Sequence, residues 1–195
     1  LVDALRAGCR YGVIASSDDH TTLPGGCESR NWGRPFAPHA LGGYHQKGLA
    51  AIRAPRLERS ALFAGLRRRA CYGTTFARSL LDVRLGDLAM GQEVVVGAGD
   101  PLRTRRALRV RWSGDHPGGA TAVLVRNGED LVKQPLPAPS DPWAIAEVDL
   151  VDDEPLERCA IHNAIHHPAP FTVYHVRVEN GNDDTLWSSP IWLDG

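Results

Sequence analysis

Apolar and polar residues alternate along most of the chain after residue 76. In LLDVRLG (80–86), Leu81, Val83 and Leu85 share one side of an extended chain. The same period of two recurs in three further segments, at 107–113, 144–150 and 171–180. This alternation is typical of strands that have one buried and one exposed face.

Turn signals separate these segments. Asn127-Gly128 lies between two apolar runs, and this dipeptide is the strongest short signal for a hairpin. Several short alternating strands with turns between them predict an antiparallel β-sandwich over residues 76–195. Trp112, Tyr174 and Trp187 fall on apolar faces, which assigns them to the core.

The first 75 residues have a different pattern. They predict the end of a helix, a buried strand, a second strand and a helix, at residues 2–8, 11–17, 48–54 and 60–73. A loop at 21–47, rich in Gly and Pro, separates the two strands, and loops of this length are usually functional or disordered. The predicted fold class is therefore α+β in two parts, an α/β part over 1–75 and a β-sandwich over 76–195.

Composition and charge disfavour some classes of partner and some cellular locations. The formal net charge of the 195-residue chain is −1, which favours neither nucleic acid nor an anionic membrane as partner. No apolar run approaches the roughly 20 residues that span a bilayer. The four cysteines form no CxxC pair, which favours free thiols and a cytoplasmic over a secreted location. The chain begins at Leu1 and its single methionine is Met90, a pattern that indicates a fragment of a longer protein.

The candidate chemistry lies in GVIASSDDHTTLPGG (12–26), where an apolar run ends in two carboxylates and an imidazole. If the alternation of the strand persists, Asp18 and His20 face the same way and Asp19 faces elsewhere. A carboxylate and an imidazole at this separation can bind one divalent ion, and the ends of strands are where α/β folds carry their sites. A surface turn is the alternative interpretation. We assign no role to Asp19.

The order of segments adds a resemblance. GVIASSDDHTTLPG, GLAAIRAP and ERSALFAGLRRRACYGTT resemble the last strands and helix of the polymerase-and-histidinol-phosphatase (PHP) superfamily. Its late motif is a small residue, Asp, any residue and His, which corresponds here to Ser17, Asp18, Asp19 and His20. The segment 69–75 and the ending WSSPIW are similar to a bacterial subgroup with a β-rich tail.

The resemblance implies a metal-dependent hydrolase, a phosphoesterase or a related ester or amide hydrolase, built on a distorted α/β barrel. It implies two or three divalent ions (Mn, Fe or Zn), with Asp18 and His20 as ligands, and a small-molecule substrate. The early His-x-His and the mid-chain Glu and His ligands of the family are absent from this sequence. Because two ligands cannot fill a catalytic site, we expect the chain alone to be inactive.

Other assignments stay open. His39 and His45 lie in the long loop and are candidates for substrate contacts. His162, His166 and His167 have a spacing that suits metal on a helix, but the following Pro168 makes a helix unfavourable. A non-catalytic β-sandwich that binds a partner is the alternative function. No residue is assigned as a catalytic group.

Overall fold

The computed structural model describes residues 2–16, 48–75, 78–114, 119–138, 141, 144–180 and 184–195. Strands outnumber helices among them, and nearly all of the strand pairings are antiparallel. The helices are α1 (Val2–Arg6), α2 (Arg59–Arg67) and α3 (Leu156–Cys159), with a 3-10 helix at Pro101–Arg103. The strands are β1 (Leu49–Ile52), β2 (Cys71–Thr74), β3 (Leu80–Leu85), β4 (Leu88–Ala89), β5 (Glu93–Val95), β6 (Arg106–Ser113), β7 (Ala120–Arg126), β8 (Glu129–Leu136), β9 (Ala146–Asp152), β10 (Phe171–Asn180), β11 (Thr185–Ser188) and β12 (Ile191–Asp194).

The described strands form two sheets. In the larger sheet, β10 pairs with β7, β11 and β12; β8 extends the sheet beyond β7, and β2 and then β1 extend it beyond β11. All of these pairings are antiparallel, and β5 joins β12 in parallel. The smaller sheet has the order β4-β3-β6-β9 and is antiparallel throughout. The antiparallel, β-rich character predicted for residues 76–195 is confirmed.

The facing sides of the two sheets share one apolar core. Trp112 and Leu150 of the smaller sheet and Tyr174 and Leu124 of the larger one are each 0% exposed. The inward residues are those that the alternation placed together, since every second side chain of a strand faces the same way. Trp187 is an exception to the core assignment, because it lies on an outward position of β11 and is only partly buried.

The predicted hairpin is present. β7 and β8 are joined by Asn127 and Gly128 alone, with φ of 52° and 86°. Both residues are left-handed, as a two-residue type I′ turn requires. The side-chain amide of Asn127 also donates to the carbonyl oxygen of Cys159 at 2.6 Å, which ties the turn to the end of α3.

Two predicted elements of the first part are wrong. Residues 11–16, predicted as a strand, have no strand pairing in the structure. The helix predicted over 60–73 ends at Arg67, because Arg69 turns into the left-handed region with φ 58° and Cys71–Thr74 then pairs as β2 between β1 and β11. Residues Cys71–Thr74 form a strand because they pair with a strand on each side, and tertiary contacts of this kind override helix propensity.

Two short helices lie among the described strands after residue 76. The 3-10 helix begins at Asp100, whose carboxylate accepts from the amide of Leu102 at 2.9 Å, with Pro101 at its first position. α3 covers four residues. By contrast, IHNAIHHP (161–168) forms isolated bridges and turns rather than a helix, as Pro168 predicted.

The outer face of the larger sheet carries a second apolar cluster. Leu5 of α1 packs there with Phe171, Val173 and Trp192. The guanidinium groups of Arg10 and Arg69 lie 5.4 Å and 5.0 Å from the Trp192 ring centroid. Cation–π contacts on a buried ring are favourable, so they fasten the N-terminal segment to the sheet.

The predicted boundary at residue 75 falls inside this sheet rather than at a gap. Leu186 and Trp187 of β11 pair with Thr74 and Gly73 of β2. The division into two domains and the barrel assignment of residues 1–75 stay predictions. Within the described part of the chain, no helix is long and apolar enough to cross a membrane.

Candidate functional site

The predicted site residues lie outside the described residues. These are the metal ligands Asp18 and His20, their neighbour Asp19, and the loop residues His39 and His45. The structure does describe the residues that flank this segment. The amide of Gly48 donates to the carbonyl oxygen of Ser16 at 3.1 Å. The chain therefore leaves and returns to the described structure at one place, at the start of β1.

The segment that leads to the predicted motif is packed tightly on β2. A Cβ added to Gly73 would lie 2.8 Å from the amide nitrogen of Ala15 and 3.0 Å from the carbonyl carbon of Ile14. The amide of Val13 donates to the Ser189 hydroxyl at 2.9 Å, and that hydroxyl donates to the carbonyl oxygen of Cys71 at 2.7 Å. Residues 11–16 are thus held by backbone contacts although they form no strand.

A cavity of about 310 Å³ lies at the inward side of the β1–β2 pair. We call it the β1–β2 cavity. It is lined by the polar residues Thr74, Arg78 and Ser79 and by Tyr72, with apolar walls from Leu49, Ala50, Ala51 and Leu80. Thr74 and Ser79 are only 2% and 5% exposed, and their hydroxyl oxygens have no hydrogen-bond partner in the structure. The two oxygens are enclosed by the protein rather than open to the cavity, so they give it no polar group that a ligand can reach.

Sequence analysis did not single out these hydroxyls. A signal was present, since Thr74 and Thr75 follow an apolar run at a strand end, where polar side chains often line a site. Thr74 faces the same side of the sheet as Tyr72 because the two lie two positions apart on β2, and β2 is a strand only through its pairing with β1 and β11. A prediction that treats Cys71 as part of a helix cannot supply that register.

A second cavity, of about 390 Å³, lies beyond the other end of β1. Arg53, Arg68 and Gln92 line it together with Met90, and no acidic side chain is among its described lining residues. The Arg53 guanidinium is bonded to the carboxylate of Asp82, so its charge is largely matched. The remaining Arg68 is exposed, which leaves this cavity little power to select a ligand.

A fully buried guanidinium group, that of Arg106, belongs to a structural network. Arg106 is 0% exposed; its guanidinium lies 2.9 Å from Oδ2 of Asp152 and donates to the Tyr174 hydroxyl at 3.1 Å. That hydroxyl donates to Asp152 at 2.7 Å, and Arg126 donates to the same carboxylate at 3.0 Å. Burial alone would raise the pKa of Asp152, but bonds from Tyr174, the Glu154 amide and Arg106 hold it below its usual range. Because every member is paired, we assign the network to stability rather than catalysis.

Two histidines are partly or fully buried. Burial lowers the pKa of His175 to about 4, with a smaller contribution from the Arg177 charge. Nε2 of His167 lies 3.2 Å from Oδ1 of Asp194 but does not meet hydrogen-bond geometry, and its ring stands edge-on to Phe171. His175 is therefore neutral at physiological pH, and His167 packs at the edge of the outer apolar cluster.

The alternative metal cluster is not assembled. No three His, Cys, Asp or Glu side chains among the described residues come together as a metal site, and this includes His162, His166 and His167. His162 and His166 are exposed, and the amide of His166 donates to the carbonyl oxygen of Ala7 at 2.8 Å. The segment therefore serves as a contact for the N-terminal helix.

α2 presents apolar side chains to solvent. Its inner side is close-packed, since a Cβ on Gly65 would lie 2.8 Å from the carbonyl oxygen of Arg53. Its outer side carries Phe63 and Leu66, which are 60% and 39% exposed, and Leu57 just before the helix is 92% exposed. These apolar side chains are thus largely uncovered, and exposed apolar patches of this kind mark contact surfaces.

Comparison with known proteins gives relatives without an assigned activity. The chain matches no known protein-family model. It is 27% identical over 197 residues to an uncharacterized protein of Chlamydia pneumoniae and 28% identical over 197 residues to one of Chlamydia muridarum. A protein of Chlamydia trachomatis, also uncharacterized, is 27% identical over 194 residues. Each match covers 100% of this chain and 28% of the relative, so the chain spans little more than a quarter of the curated relatives it matches.

Proposed function

We propose that this chain is the C-terminal portion of a PHP-like metal-dependent hydrolase, a phosphoesterase or a related ester or amide hydrolase. Asp18 and His20 are two of its metal ligands, and polypeptide outside this chain supplies the others. The substrate is a small molecule, and His39 and His45 are candidates to contact it. The distorted α/β barrel that this requires extends through residues 1–75.

The uncovered side of α2 is the observation that carries the proposal. In a complete α/β fold, the apolar side chains of each helix are buried against neighbouring helices and strands. Phe63 and Leu66 are exposed here, which is what a helix at the edge of an incomplete barrel requires. The relatives support this because 28% of their length matches the whole chain, which leaves room in them for the remaining barrel.

The donor set also suits the chemistry. A carboxylate oxygen and an imidazole nitrogen are ligands for Mn²⁺, Fe²⁺ and Zn²⁺. Such ions, when bound, activate water and stabilise negative charge that develops on phosphoryl or carbonyl oxygens. The contribution of this chain is to hold the motif, since residues 11–16 are fixed on β2 and Ser16 is bonded to Gly48.

Metal analysis of the full-length gene product tests the proposal. We expect the wild-type protein to retain Mn, Fe or Zn after gel filtration and to hydrolyse p-nitrophenyl phosphate or a simple ester. The double variant Asp18→Ala with His20→Ala should lose most of the bound metal and most of the hydrolytic activity. His162→Ala with His166→Ala is the matched control, because these exposed histidines contact no assembled site. Metal content that is absent in the wild type, or unchanged by the first pair, would refute the proposal.

The second candidate is a non-catalytic binding module. The same exposed side chains favour it, because Leu57, Phe63 and Leu66 form a patch that a partner protein could cover. The two candidates differ in the metal experiment. The binding-module hypothesis is supported if the full-length protein holds no metal but binds a partner, and if Phe63→Glu abolishes that binding.

A further inference from the structure

We propose that the outer face of α2 docks an acidic amphipathic helix that belongs to the part of the gene product outside this chain. The outer face consists of Arg59, Phe63, Leu66 and Arg67. The inference rests on the proposed function only in that this chain is a portion of a longer protein, and it adds the chemistry of the segment that covers α2. It does not depend on a bound metal.

The outer face has an apolar centre with a cation at each end. Phe63 follows Arg59 by four residues, and Leu66 and Arg67 follow Phe63 by three and four. These spacings put all four side chains on one side of a helix. All four are exposed, whereas Gly65 on the opposite side is buried against this chain. The outer face is therefore the side of α2 that is open to a partner.

The arginines at the two ends have no acidic partner in the described part of the chain. Arg59 and Arg67 form no ion pair there, and the guanidinium of Arg67 instead lies 5.9 Å from the Phe63 ring centroid. An exposed arginine elsewhere is paired, since the Arg109 guanidinium on β6 lies 3.2 Å from a carboxylate oxygen of Glu147. The outer face thus lacks matching negative charge, which carboxylates of another segment can supply.

The charge of the surrounding segment favours an acidic partner over a second copy of this chain. Residues 56–68 contain four arginines and one glutamate, and Glu58 already lies 3.6 Å from the Arg56 guanidinium. Two such faces would repel each other, because like charges across an interface are unfavourable. The relatives are long enough to contain an acidic partner segment, because this chain covers only 28% of their length.

A helix fits the outer face better than a strand. Because α2 bonds its backbone groups internally, it offers a partner only side chains. A strand would leave one edge of its own backbone unpaired against that surface, whereas a helix brings its own backbone hydrogen bonds. Arg59 and Arg67 are eight residues apart, about 12 Å along the helix axis. A facing helix of about three turns can place a carboxylate against each arginine, with apolar residues between them.

Zero-length cross-linking of the full-length gene product tests the inference. Arg59→Lys and Arg67→Lys each place an amine on the outer face, and a carbodiimide joins an amine to a carboxylate only where the two are in contact. We expect mass spectrometry to find both amines linked to Asp or Glu residues outside this chain, about seven or eight positions apart in one segment with apolar residues between them. Arg109→Lys is the matched control, and its amine should link to Glu147 within this chain.

Leu66→Glu provides an independent readout in the same full-length protein. A carboxylate at the apolar centre should open the contact, so amide hydrogen exchange over residues 59–67 should become roughly tenfold faster and the cross-links from positions 59 and 67 should disappear. Leu131→Glu on β8 is the matched control, because the wild-type side chain is 38% exposed, against 39% for Leu66. This control should change neither the exchange nor the cross-links.

The inference is overturned if neither amine links to a carboxylate outside this chain while the Arg109→Lys control does react. Cross-links between two copies of this chain would make the outer face a dimer contact and overturn it as well. The same holds if the full-length protein binds vesicles of equal phosphatidylserine and phosphatidylcholine and Leu66→Glu abolishes that binding, because the occupant is then a membrane surface. Cross-links in a protein that holds no metal would refute the proposed hydrolase alone, and bound metal without cross-links would refute this inference alone.

Discussion

Replacing Asp152 by Asn should destabilise the fold far more than the same change at Asp149 on the same strand. Oδ2 of Asp152 accepts from Tyr174 at 2.7 Å and from Arg126 at 3.0 Å, and lies 2.9 Å from the Arg106 guanidinium. Asparagine has the same shape but lacks the charge, so Arg106 would stay fully buried without a counterion. Removing one partner of a buried ion pair typically costs about 3–5 kcal/mol.

Asp149 is the matched control. Its carboxylate lies 3.3 Å from the Arg109 guanidinium, and the two side chains are 49% and 57% exposed. Pairs of this kind contribute about 0–1 kcal/mol because water and salt screen them. For a chain of this size, about 3–5 kcal/mol corresponds to a fall in melting temperature of roughly 6–20 °C.

Urea unfolding followed by tryptophan fluorescence measures both variants. The dependence of the free energy of unfolding on pH in the acid range gives a second measurement. Because the pKa of Asp152 is held below its unfolded value of about 3.9, its stabilisation is complete above that pH and is lost as pH falls through the folded value. Asp152→Asn should therefore lose less stability in acid than the wild type. The reasoning fails if Asp152→Asn costs no more than Asp149→Asn.

Two further predictions concern pH and packing. His175, with a pKa of about 4, stays neutral while the unfolded chain binds a proton below about pH 6.5, so stability should rise by up to about 3 kcal/mol between pH 4 and 6.5. Stability measured across this range should lose that slope in His175→Gln and keep it in His166→Gln. Gly73→Ala should cost about 1–3 kcal/mol in chemical unfolding, because the new Cβ would lie 2.8 Å from the Ala15 amide nitrogen. Gly97→Ala, with nothing within 4 Å, should be neutral, and an equal cost at both positions would contradict the packing argument.

The alternation of apolar residues predicted the β-rich part because it depends on local sequence. Leu81, Val83 and Leu85 share the buried side of β3, and Asn127-Gly128 forms the turn through its own backbone preference. The helix predicted through Cys71 was wrong because the pairing of β2 with β11 involves residues more than 100 positions away. The spacing of apolar residues and the helix propensity around Cys71 carry no information about that pairing.

The site was predictable only in part, for the same reason. The Asp18 and His20 motif is visible in sequence because its two residues lie only two positions apart in the chain, and it stays a prediction. Thr74 and Ser79 line one cavity only because β2 is a strand, which depends on pairing that the local sequence does not show. Arg106 is in phase with the buried Leu108 and Val110 of β6, but a charged side chain at such a position is assigned to the core only once its partner Asp152 is known.

The pairing of β2 with β11 limits how this protein can be divided. If the chain is cut after residue 75, Leu186, Trp187 and Ser188 lose their neighbours on β2 and their peptide groups face water. An uncovered strand edge is a template for another chain, so the isolated C-terminal part would tend to associate with copies of itself. The N-terminal residues therefore cover the edge that β11 would otherwise present.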